Sequence, residues 1–563
     1  MDRTVDFIAI GSGAAGMSAA IRAHDLGAEV LLLEATDRYG GSTAMSGGVC
    51  WVPNNPHMAA AGVPDTPEDG LTYLRNIVGD SSPDVVLQTY VTESRRMVEY
   101  LEDKTAVRFE SLEKYCDYYP EVDGGRPGGR SMECTPYDGR KLGEEFRRIR
   151  PPHPQSQVLG IFGLTAREAH TLLANTWRSK LVLIKRLLSA ALSLPARRKW
   201  GRDPRLTAGN ALIARLRRSL LDRDIELSLS TPVRDLIIEG GRVVGVIAER
   251  DGKTLRIGAR RAVLLSAGGF SRNKSMRQKH QPAPITDEWS AGNMRNLGDG
   301  HRMGVTAGGR LVLMDEAWWT PTIRIPRQEL AWVVVVEKNL PHSMMVNDAG
   351  QRFTNEAAPY LDVVKGMYSA DSAPAWLLFD ATFRRNYPVG PLAPGYAVPD
   401  KRVSKKFISG FLKKSDTLTG LAEACELPAQ ALQGAVERFN GMADSGKDTD
   451  FGRGESLSDR YYGDHRAKPN PCLGRLETPP FYALRIYPGD LGTKGGLVVD
   501  TRGRVLDAVD TPIPGLYAAG NCAAPVMGKT YPGAGGTIGP AMLVGFLAAE
   551  AAAETEQARE SAK

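Results

Sequence analysis

Three glycines near the start of the chain have the spacing of a phosphate-binding turn. Gly11, Gly13 and Gly16 form a G-x-G-x-x-G pattern between two apolar runs, and the second run ends in Glu34. The first glycine lets the chain turn sharply, the second lets the backbone approach a pyrophosphate, and the third allows close packing. Free N–H groups at a helix start bind phosphates, and Glu34 can accept hydrogen bonds from a ribose hydroxyl. The combination predicts a dinucleotide site rather than a glycine-rich surface turn.

These residues need a strand, a helix and a second strand to position them. Residues 7–10 and 30–33 are apolar runs typical of buried parallel strands, and alanine-rich residues between them favour a helix. A second loop of small residues follows at 38–48. Its exposed N–H groups can enclose a dinucleotide beyond its pyrophosphate. We favour this interpretation over a flexible linker because the loop directly follows the strand that ends in an acid.

Composition limits the function classes. The chain has 563 residues, too many for one core, which predicts two or more domains. A net charge of +6 is modest for this length and does not indicate a nucleic-acid partner. The six cysteines include no C-x-x-C pair, which indicates a reducing compartment and no metal site. We expect a cytoplasmic protein without a signal peptide or a spanning helix, since the first strand begins almost at once and no apolar run approaches about 18 residues.

The nucleotide-binding pattern returns twice along the chain, which predicts a discontinuous domain. Its parts are predicted at residues 1–156, 206–309 and 481–563. Residues 310–480 differ in composition, hold several tryptophans and prolines, and are predicted to form a separate inserted domain. Within that domain the polar residues 442–470 are predicted to be a surface excursion.

Residues 157–205 are predicted to form a basic amphipathic insertion. Its central part, residues 177–200, has a tryptophan at each end, an apolar stripe and no acidic residue. These are the features of an interfacial membrane helix, so they predict peripheral contact with the inner face of the cell membrane. An ordinary surface helix packed on the domain is the alternative. The stripe comprises Leu181, Ile184, Leu188, Ala191 and Leu192, and the basic residues are Arg178, Lys180, Lys185, Arg186, Arg197, Arg198 and Lys199.

Motifs from distant parts of the chain resemble a known superfamily. Besides the N-terminal glycine pattern, these are Ser-Ala-Gly-Gly-Phe at 266–270 and Gly-Leu-Tyr-Ala-Ala-Gly-Asn at 515–521. Together they resemble the FAD-binding fold of the flavin-dependent fumarate reductase and succinate dehydrogenase superfamily. The resemblance implies an α/β fold, in which a Rossmann-like FAD-binding domain carries an inserted α+β catalytic (cap) domain.

Three tyrosines narrow the resemblance to one family. Tyr118, Tyr360 and Tyr531, each in a matching context, and the segment Gly-Asp-Leu-Gly-Thr-Lys-Gly-Gly at 489–496 are similar to those of the 3-ketosteroid Δ1-dehydrogenases. The resemblance covers nearly the whole chain apart from roughly 157–205. It implies a 3-ketosteroid as the substrate and FAD as the cofactor.

The family's reaction assigns roles to these residues. A double bond forms between C1 and C2 of the steroid A ring as a proton leaves C2 and a hydride passes from C1 to flavin N5. Negative charge then builds on the C3 ketone oxygen, so fixed donors lower the barrier, typically by a few kcal/mol each. The Tyr531 hydroxyl and the Gly535 N–H are the expected donors. Tyr360 is the expected base, and because a phenol has a pKa of about 10, it would need help from a neighbour such as Tyr118.

The resemblance also implies which residues bind FAD and line the pocket. Tyr115 and Tyr119 are expected to contact the substrate, and the helix starting near Thr537 is expected to direct its positive end at the flavin pyrimidine edge. The predicted FAD-binding residues are Gly11, Ser12, Gly13, Ala14, Ala15, Gly16, Glu34, Gly41, Ser42, Thr43, Gly47, Gly48, Val233, Ala267, Gly268, Asp299, Gly520, Asn521 and Ile538.

Three other functions fit part of the pattern. A fumarate-reductase-like flavoprotein would need cationic groups for two carboxylates, whereas Tyr531 is a neutral donor. A 3-ketosteroid 4-ene dehydrogenase has a serine where this chain has Gly533. The third alternative is a membrane-bound flavoprotein electron carrier that oxidises no small molecule. The electron acceptor is unknown from the sequence; the chain has no second dinucleotide motif for NAD(P), and a quinone is one candidate.

Overall fold

The computed structural model describes residues 1–158, 160–173 and 176–561. The helices are α1 Ala14–Asp25, α2 Gly41–Met45, α3 Pro67–Val78, α4 Asp84–Lys104, α5 Ala166–Leu173, α6 Trp177–Leu192, α7 Leu194–Trp200, α8 Ala208–Leu221, α9 Lys274–His280, α10 Asp299–Thr306, α11 Tyr360–Ser369, α12 Ala381–Asn386, α13 Lys405–Phe411, α14 Leu418–Cys425, α15 Ala429–Ser445, α16 Leu457–Tyr461 and α17 Ile538–Ser561. The strands are β1 Arg3–Ile10, β2 Val30–Leu33, β3 Val49–Trp51, β4 Phe109–Ser111, β5 Ser131–Cys134, β6 Tyr137–Asp138, β7 Gln157–Val158, β8 Phe162–Gly163, β9 Arg205–Leu206, β10 Glu226–Ser228, β11 Val233–Glu239, β12 Arg242–Arg250, β13 Lys253–Leu265, β14 Leu311–Val312, β15 Ala317–Ile323, β16 Trp332–Val333, β17 Ser343–Val346, β18 Ala375–Phe379, β19 Lys413–Ser415, β20 Phe481–Thr493, β21 Gly496–Leu497, β22 Arg504–Leu506 and β23 Pro512–Ala518.

The largest sheet contains the predicted dinucleotide-binding unit. Its parallel part has the order β10–β2–β1–β13, and β1 pairs with β2 from Phe7 opposite Val30 to Ile10 opposite Leu33. Strands β12 and β11 extend the sheet in antiparallel fashion, while β23 joins β13 in parallel. Both β2 and the end of β1 are buried, as continuous apolar runs in parallel strands require. The predicted α/β class with a Rossmann-like FAD-binding part is confirmed.

Small residues let α1 and α17 pack closely against each other beside this sheet. A Cβ atom added to Gly545 of α17 would lie 2.6 Å from the carbonyl oxygen of Ala15 in α1, so a larger residue would separate the two helices. The window Ile538–Thr555 of α17 is long and apolar enough to cross a membrane by length and composition. However, 72% of this window is buried inside the protein, as in the core helix of a globular domain.

A second sheet lies in the predicted inserted domain and positions Tyr360. It has the order β16–β15–β20–β18–β17, with β19 paired to β20. Helix α11, whose first residue is Tyr360, packs against β15. Strand β20 belongs to this sheet although it lies beyond the predicted boundary at residue 480. The division into domains at the predicted residues stays a prediction.

The basic insertion contains two successive helices, α6 and α7, in place of the single stretch at 177–200. Helix α6 ends at Leu192, and Pro195 lies in the first turn of α7, where its missing N–H costs no hydrogen bond. The apolar stripe faces outward, and the side chain of Arg178 lies outside the described part of the chain. The exposed members of the stripe are Leu181, Ile184, Leu188, Ala191 and Leu192.

Candidate active site

The N-terminal glycine turn lies at the carboxyl end of β1, and its geometry requires glycine. Gly11 has a φ of +105°, and a Cβ atom on it would lie 2.4 Å from the carbonyl oxygen of Ser266. A Cβ atom on Gly16 would lie 2.1 Å from the carbonyl oxygen of Gly11. The strand and the helix therefore approach each other as closely as the motif predicts.

Two helix N-termini converge beside this turn. Gly13 precedes α1 and Gly40 precedes α2, and a Cβ atom on Gly41 would lie only 3.7 Å from the Gly13 Cα. The N–H of Ala14 donates to the hydroxyl of Thr43 at 3.2 Å, which connects the two helices. Because each N-terminus carries partial positive charge and free N–H groups, the junction suits a pyrophosphate.

Glu34 is fixed at the end of β2, beside the turn. It is buried, and its carboxylate accepts hydrogen bonds from the N–H and the hydroxyl of Ser12 at 3.2 and 2.5 Å. The N–H and hydroxyl of Thr36 donate to the other oxygen at 3.1 and 2.9 Å. A carboxylate has about four acceptor sites, which these four bonds occupy, so a ribose hydroxyl would bind Glu34 by replacing one of them.

The other predicted cofactor residues surround the same end of the sheet. The hydroxyl of Ser42 accepts a hydrogen bond from the Asn296 side chain at 3.2 Å. Gly48 has a φ of +65° and approaches the start of α8, where a Cβ atom would lie 2.3 Å from the Gly209 nitrogen. Elsewhere, Ala15 lies in α1, Gly47 precedes β3, Val233 begins β11, Ala267 and Gly268 follow β13, and Asp299 begins α10.

The C-terminal part of the chain completes this region. Gly520, after β23, has a φ of +64°, and a Cβ atom on it would lie 3.6 Å from the Cβ atom of Ala15. Asn521 accepts a hydrogen bond from the Trp318 indole N–H at 3.1 Å, and Ile538 begins α17. The glycine turn, the converging helix N-termini and the buried acid fit the pyrophosphate and ribose of FAD, so these residues would hold it here.

Three tyrosines from separate segments meet next to these C-terminal residues. Tyr118 comes from the loop between β4 and β5, Tyr360 begins α11, and Tyr531 precedes α17. Their ring centroids are separated by 5.3 Å for Tyr118 and Tyr360, 5.4 Å for Tyr118 and Tyr531, and 5.5 Å for Tyr360 and Tyr531. The structure therefore brings together the three phenols that the sequence singled out.

Hydrogen bonds and burial set the protonation of this cluster. The Tyr118 hydroxyl donates to the Tyr360 hydroxyl at 2.7 Å, and the Tyr531 hydroxyl lies 3.1 Å from that of Thr537. Burial raises the pKa of Tyr360 and of Tyr118 well above the usual value, and it also raises the pKa of Tyr531. The hydrogen bond from Tyr118 acts in the opposite direction and lowers the pKa of Tyr360. The interactions with Tyr531 act with burial and raise the pKa of Tyr360, whereas hydrogen bonds with Thr537 and Tyr360 lower the pKa of Tyr531. Burial therefore favours the protonated form of all three phenols, and the bond from Tyr118 is a contact that favours ionisation of Tyr360.

Gly535 lies in a tight loop against β3. Its φ is +98°, and a Cβ atom on it would lie 2.5 Å from the Trp51 nitrogen and 2.7 Å from the Cys50 Cα. Among the described residues, no protein group accepts a hydrogen bond from the Gly535 N–H. A donor left free in a loop that also carries Tyr531 is suited to an oxygen of a bound molecule.

A buried network holds the Tyr531 loop against the Tyr118 loop. The Pro532 carbonyl accepts hydrogen bonds from the Tyr118 N–H at 3.0 Å and from the Tyr73 hydroxyl at 2.7 Å. Asp117, the residue before Tyr118, accepts a hydrogen bond from the Trp51 indole N–H at 2.7 Å. The relative positions of the phenols thus depend on backbone contacts between the two loops.

The other two predicted substrate residues have different surroundings. The Tyr115 ring stacks on Tyr461 with centroids 4.5 Å apart, and its hydroxyl lies 2.5 Å from that of Tyr462. The Tyr119 hydroxyl donates to Asp362 at 2.9 Å, so it is engaged near the start of α11. The prediction that 442–470 is a surface excursion is wrong for this part, because Tyr461 and Tyr462 pack on the Tyr115 ring. An aromatic pair within a polar segment was the available signal.

Sequence reasoning also missed Trp318, which contacts two predicted site residues. Its ring meets the Tyr531 ring edge-on with centroids 4.8 Å apart, while its indole N–H bonds Asn521. Trp318 therefore joins the tyrosine cluster to the C-terminal cofactor residues. The sequence contains no spacing signal for this contact, since β15 and the Tyr531 loop are far apart in the chain.

Comparisons with known proteins agree with this site. The family described as FAD binding domain matches residues 6–538, so the chain belongs to this family of flavoproteins. The chain is 42% identical to a 3-oxosteroid 1-dehydrogenase of Mycolicibacterium smegmatis over 97% of this chain and 96% of that protein. It is 41% identical to a 3-oxosteroid 1-dehydrogenase of Mycobacterium tuberculosis over 97% of each. Within the FAD-binding family, the chain is a member of the 3-ketosteroid Δ1-dehydrogenases.

A solved structure has the same fold throughout. It is the crystal structure of a 3-ketosteroid Δ1-dehydrogenase from Sterolibacterium denitrificans in complex with 1,4-androstadiene-3,17-dione. The TM-score is 0.95 at 44% identity, and the match covers 98% of this chain and 100% of that one. Because the match is nearly complete, it includes the basic insertion for which the sequence resemblance was weakest.

Proposed function

We propose that this protein is an FAD-dependent enzyme that introduces the 1,2 double bond into 3-ketosteroids during steroid degradation. The observation that carries the proposal is the convergence of Tyr118, Tyr360 and Tyr531, with ring centroids 5.3 to 5.5 Å apart, beside the residues suited to FAD. The names of the relatives and the bound steroid of the matching crystal structure support the same substrate class.

The residues divide the proton chemistry between them. Tyr531 and the Gly535 N–H would hold the C3 ketone oxygen, where negative charge develops as the C2 proton leaves. Burial keeps Tyr531 protonated, so it can donate throughout the reaction. Tyr360 would accept the C2 proton, and the hydrogen bond from Tyr118 stabilises the ionised phenol. Bound FAD supplies the acceptor for the hydride that leaves C1.

Anaerobic mixing of the flavoprotein with a 3-ketosteroid whose A ring is saturated tests this function. Bleaching of the flavin together with a 1-ene product is the expected result. Bleaching with a 4-ene product would identify the 3-ketosteroid 4-ene dehydrogenase activity instead. An unbleached flavin would contradict steroid oxidation and favour the fumarate-reductase-like or electron-carrier alternatives.

The basic insertion supports a cytoplasmic enzyme that binds peripherally to the inner face of the cell membrane. Each of Leu181, Ile184, Leu188 and Leu192 is more than half exposed, which is a large apolar area for a surface helix. Lys180, Lys185, Arg198 and Lys199 are exposed on the same two helices and suit anionic lipid headgroups. Two other basic residues are used inside the protein, since Arg186 pairs with Glu168 and Arg197 pairs with Asp203.

A membrane location would place the enzyme near lipid-soluble electron acceptors, and we propose a quinone as the acceptor. The sequence offers a single dinucleotide-binding motif, which the FAD site uses, so NAD(P) is disfavoured. Once the steroid has reduced the flavin under anaerobic conditions, a short-chain quinone should reoxidise the flavin faster than NAD(P)⁺ does. Equal or faster reoxidation by NAD(P)⁺ would overturn the quinone proposal without affecting the steroid reaction.

A further inference from the structure

Lys494 is a buried cation that the proposed mechanism does not use. It follows β20 directly and is 1% exposed. Its ammonium donates a hydrogen bond to the carbonyl oxygen of Thr530 and lies 4.4 Å from the centroid of the Trp318 ring. A lysine removed from water in this way is costly unless its contacts compensate, so the position calls for a structural or functional reason.

Both contacts of Lys494 lead to the tyrosine cluster. Thr530 is the residue immediately before Tyr531, so the hydrogen bond fixes the backbone at the start of the Tyr531 loop. Trp318, held by the ammonium on its face, touches the Tyr531 ring edge-on and donates to Asn521 at 3.1 Å. One side chain therefore bonds the backbone just before Tyr531 and packs on Trp318, the ring that meets Tyr531.

The charges around Lys494 are nearly balanced. Burial lowers the pKa of Lys494 to about 7, while the nearby Glu316 and Asp362 act in the opposite direction and Lys365 reinforces the lowering. Glu316 also pairs with Lys365 at 3.3 Å. The lowered pKa shows that burial outweighs the two carboxylates and disfavours the ammonium. Among the described residues Lys494 forms no direct ion pair, and its bond is to the Thr530 carbonyl.

We propose that Lys494 is a positioning residue that sets the Tyr531 hydroxyl relative to the substrate ketone. The inference rests on the proposed steroid reaction. In this proposal Lys494 acts through Thr530 and Trp318, and its side chain also lines the small cavity that Trp318, Asn521 and Thr537 form. A donor displaced by a fraction of an ångström loses much of its effect on the developing charge, so the contacts of Lys494 affect turnover more than substrate binding.

Lys365 of α11 provides a matched control, because it contacts the same loop. Its ammonium donates to the carbonyl oxygen of Lys529, one residue earlier, at 2.7 Å. In contrast to Lys494, its side chain is 36% exposed, and it is paired with Glu316. If loss of any lysine contact with this loop lowered kcat equally, Lys365→Met and Lys494→Met would have similar effects.

The test measures kcat, KM and FAD content for Lys494→Met, Lys365→Met, Tyr531→Phe and the Lys494→Met/Tyr531→Phe double variant. We expect Lys494→Met to lower kcat roughly 10- to 100-fold with KM changed by less than about threefold and FAD retained. Lys365→Met should change kcat by less than about threefold. In the Tyr531→Phe background, Lys494→Met should have little further effect, because it acts through the hydroxyl that is already absent.

An equal loss of kcat in both backgrounds would overturn the inference, as would a loss confined to KM. If Lys494→Met does not retain FAD, the same comparison of single and double variants is made with Lys494→Gln. Glutamine keeps an N–H donor for the Thr530 carbonyl, so this variant tests the inference in an enzyme that is less disturbed. A wild-type enzyme that oxidises no 3-ketosteroid would contradict the proposed function itself. The two failures are therefore distinguishable.

Discussion

The hydroxyl of Tyr118 donates a 2.7 Å hydrogen bond to the hydroxyl of Tyr360, although the two residues are 242 positions apart in the chain. The direction of this bond matters for catalysis. A phenol that accepts a hydrogen bond is easier to ionise, and this bond lowers the pKa of Tyr360 against the effect of burial. The bond supports the proposed roles of Tyr360 as the base and of Tyr118 as the residue that assists it.

Replacing Tyr118 by phenylalanine should slow turnover and shift its pH dependence. Without the hydrogen bond the pKa of Tyr360 rises, so the increase of kcat with pH should move to higher pH and kcat at neutral pH should fall roughly 10- to 100-fold. Steady-state kinetics across the alkaline range measures both effects. Tyr119→Phe is the control, because the Tyr119 hydroxyl bonds Asp362 and should leave the profile in place. A Tyr118→Phe enzyme with an unshifted profile would contradict the assistance by Tyr118.

Removing the Tyr531 hydroxyl should remove one donor to the ketone oxygen. We expect Tyr531→Phe to lower kcat about 100-fold or more while FAD stays bound, because the aromatic packing with Trp318 is preserved. Turnover and the flavin absorbance of the purified enzyme are the measurements. The same substitution at Tyr396, which is 63% exposed, controls for the loss of a hydroxyl elsewhere. Near-normal turnover of Tyr531→Phe would exclude Tyr531 from the mechanism.

The sequence predicted local chemistry better than long-range packing. The glycine turn and Glu34 were predictable because a phosphate site needs particular residues at fixed spacing within about 30 residues. The three tyrosines were predictable from their motifs, but the motifs could not reveal that Tyr118 donates and Tyr360 accepts. The contact of Trp318 with Tyr531 joins residues distant in the chain, and no periodicity records it.

The same limit explains the misread polar segment. Residues 442–470 contain many charged and small residues, which usually indicates a solvated surface. In the structure Arg453 is fully buried, donates to the carbonyl oxygens of Ser343 and Leu340, and forms an ion pair with the buried Glu356 at 3.3 Å. Composition cannot distinguish a solvated charge from one that a distant carboxylate and backbone carbonyls compensate. The burial of this segment, and with it the packing of Tyr461 and Tyr462 on Tyr115, was therefore not predicted.

Gly535 should not tolerate a side chain. In Gly535→Ala the added Cβ would lie 2.5 Å from the Trp51 nitrogen, and the alanine would have to adopt a φ of +98°. The loop must therefore move, which displaces the N–H of residue 535. We expect roughly a 100-fold or greater loss of kcat, measured on enzyme that retains FAD. Gly434→Ala is the control, because that helical glycine has open space at its Cβ and alanine should be neutral or stabilising there. Full activity of Gly535→Ala would show that the loop does not supply a donor.

Buried Lys338 should make stability depend on pH. Its ammonium donates to the carbonyl oxygens of Glu356 and Ala358 at 2.9 and 2.6 Å, just before Tyr360. Burial lowers the pKa of Lys338 from 10.5 to about 7. Between these values the unfolded chain binds more protons than the folded one, so the contribution of Lys338 to stability rises with pH, by at most about 1.4 kcal/mol per pH unit.

Comparison with Lys338→Met isolates this contribution. The difference in Tm between wild type and Lys338→Met holoenzymes should increase in favour of wild type from pH 7 to about pH 9. Lys401→Met, at an exposed position, should show a difference that is constant with pH. A constant difference for Lys338→Met as well would mean that the Lys338 pKa is not lowered.

The exposed face of α6 is expected to bind membranes through both its charges and its apolar residues, and salt can distinguish the two contributions. Lys180 and Lys185 are exposed on this helix beside Ile184 and Leu188. Electrostatic attraction needs anionic lipid and weakens with salt, whereas apolar insertion persists in salt. A helix that uses both should bind anionic vesicles at low salt and lose only part of this binding at high salt.

Co-sedimentation with vesicles that contain phosphatidylglycerol, compared with pure phosphatidylcholine vesicles, measures this binding. Lys180→Glu/Lys185→Glu should weaken binding to the anionic vesicles at least about tenfold, since each basic residue near the surface contributes roughly 1 kcal/mol. Ile184→Ser/Leu188→Ser should abolish the salt-resistant part. The control is Lys405→Glu/Lys406→Glu, which makes the same charge change at exposed positions of α13. If the control weakens binding equally, the effect comes from net charge and not from α6. If the full-length protein does not bind anionic vesicles at low salt, membrane binding through α6 is excluded.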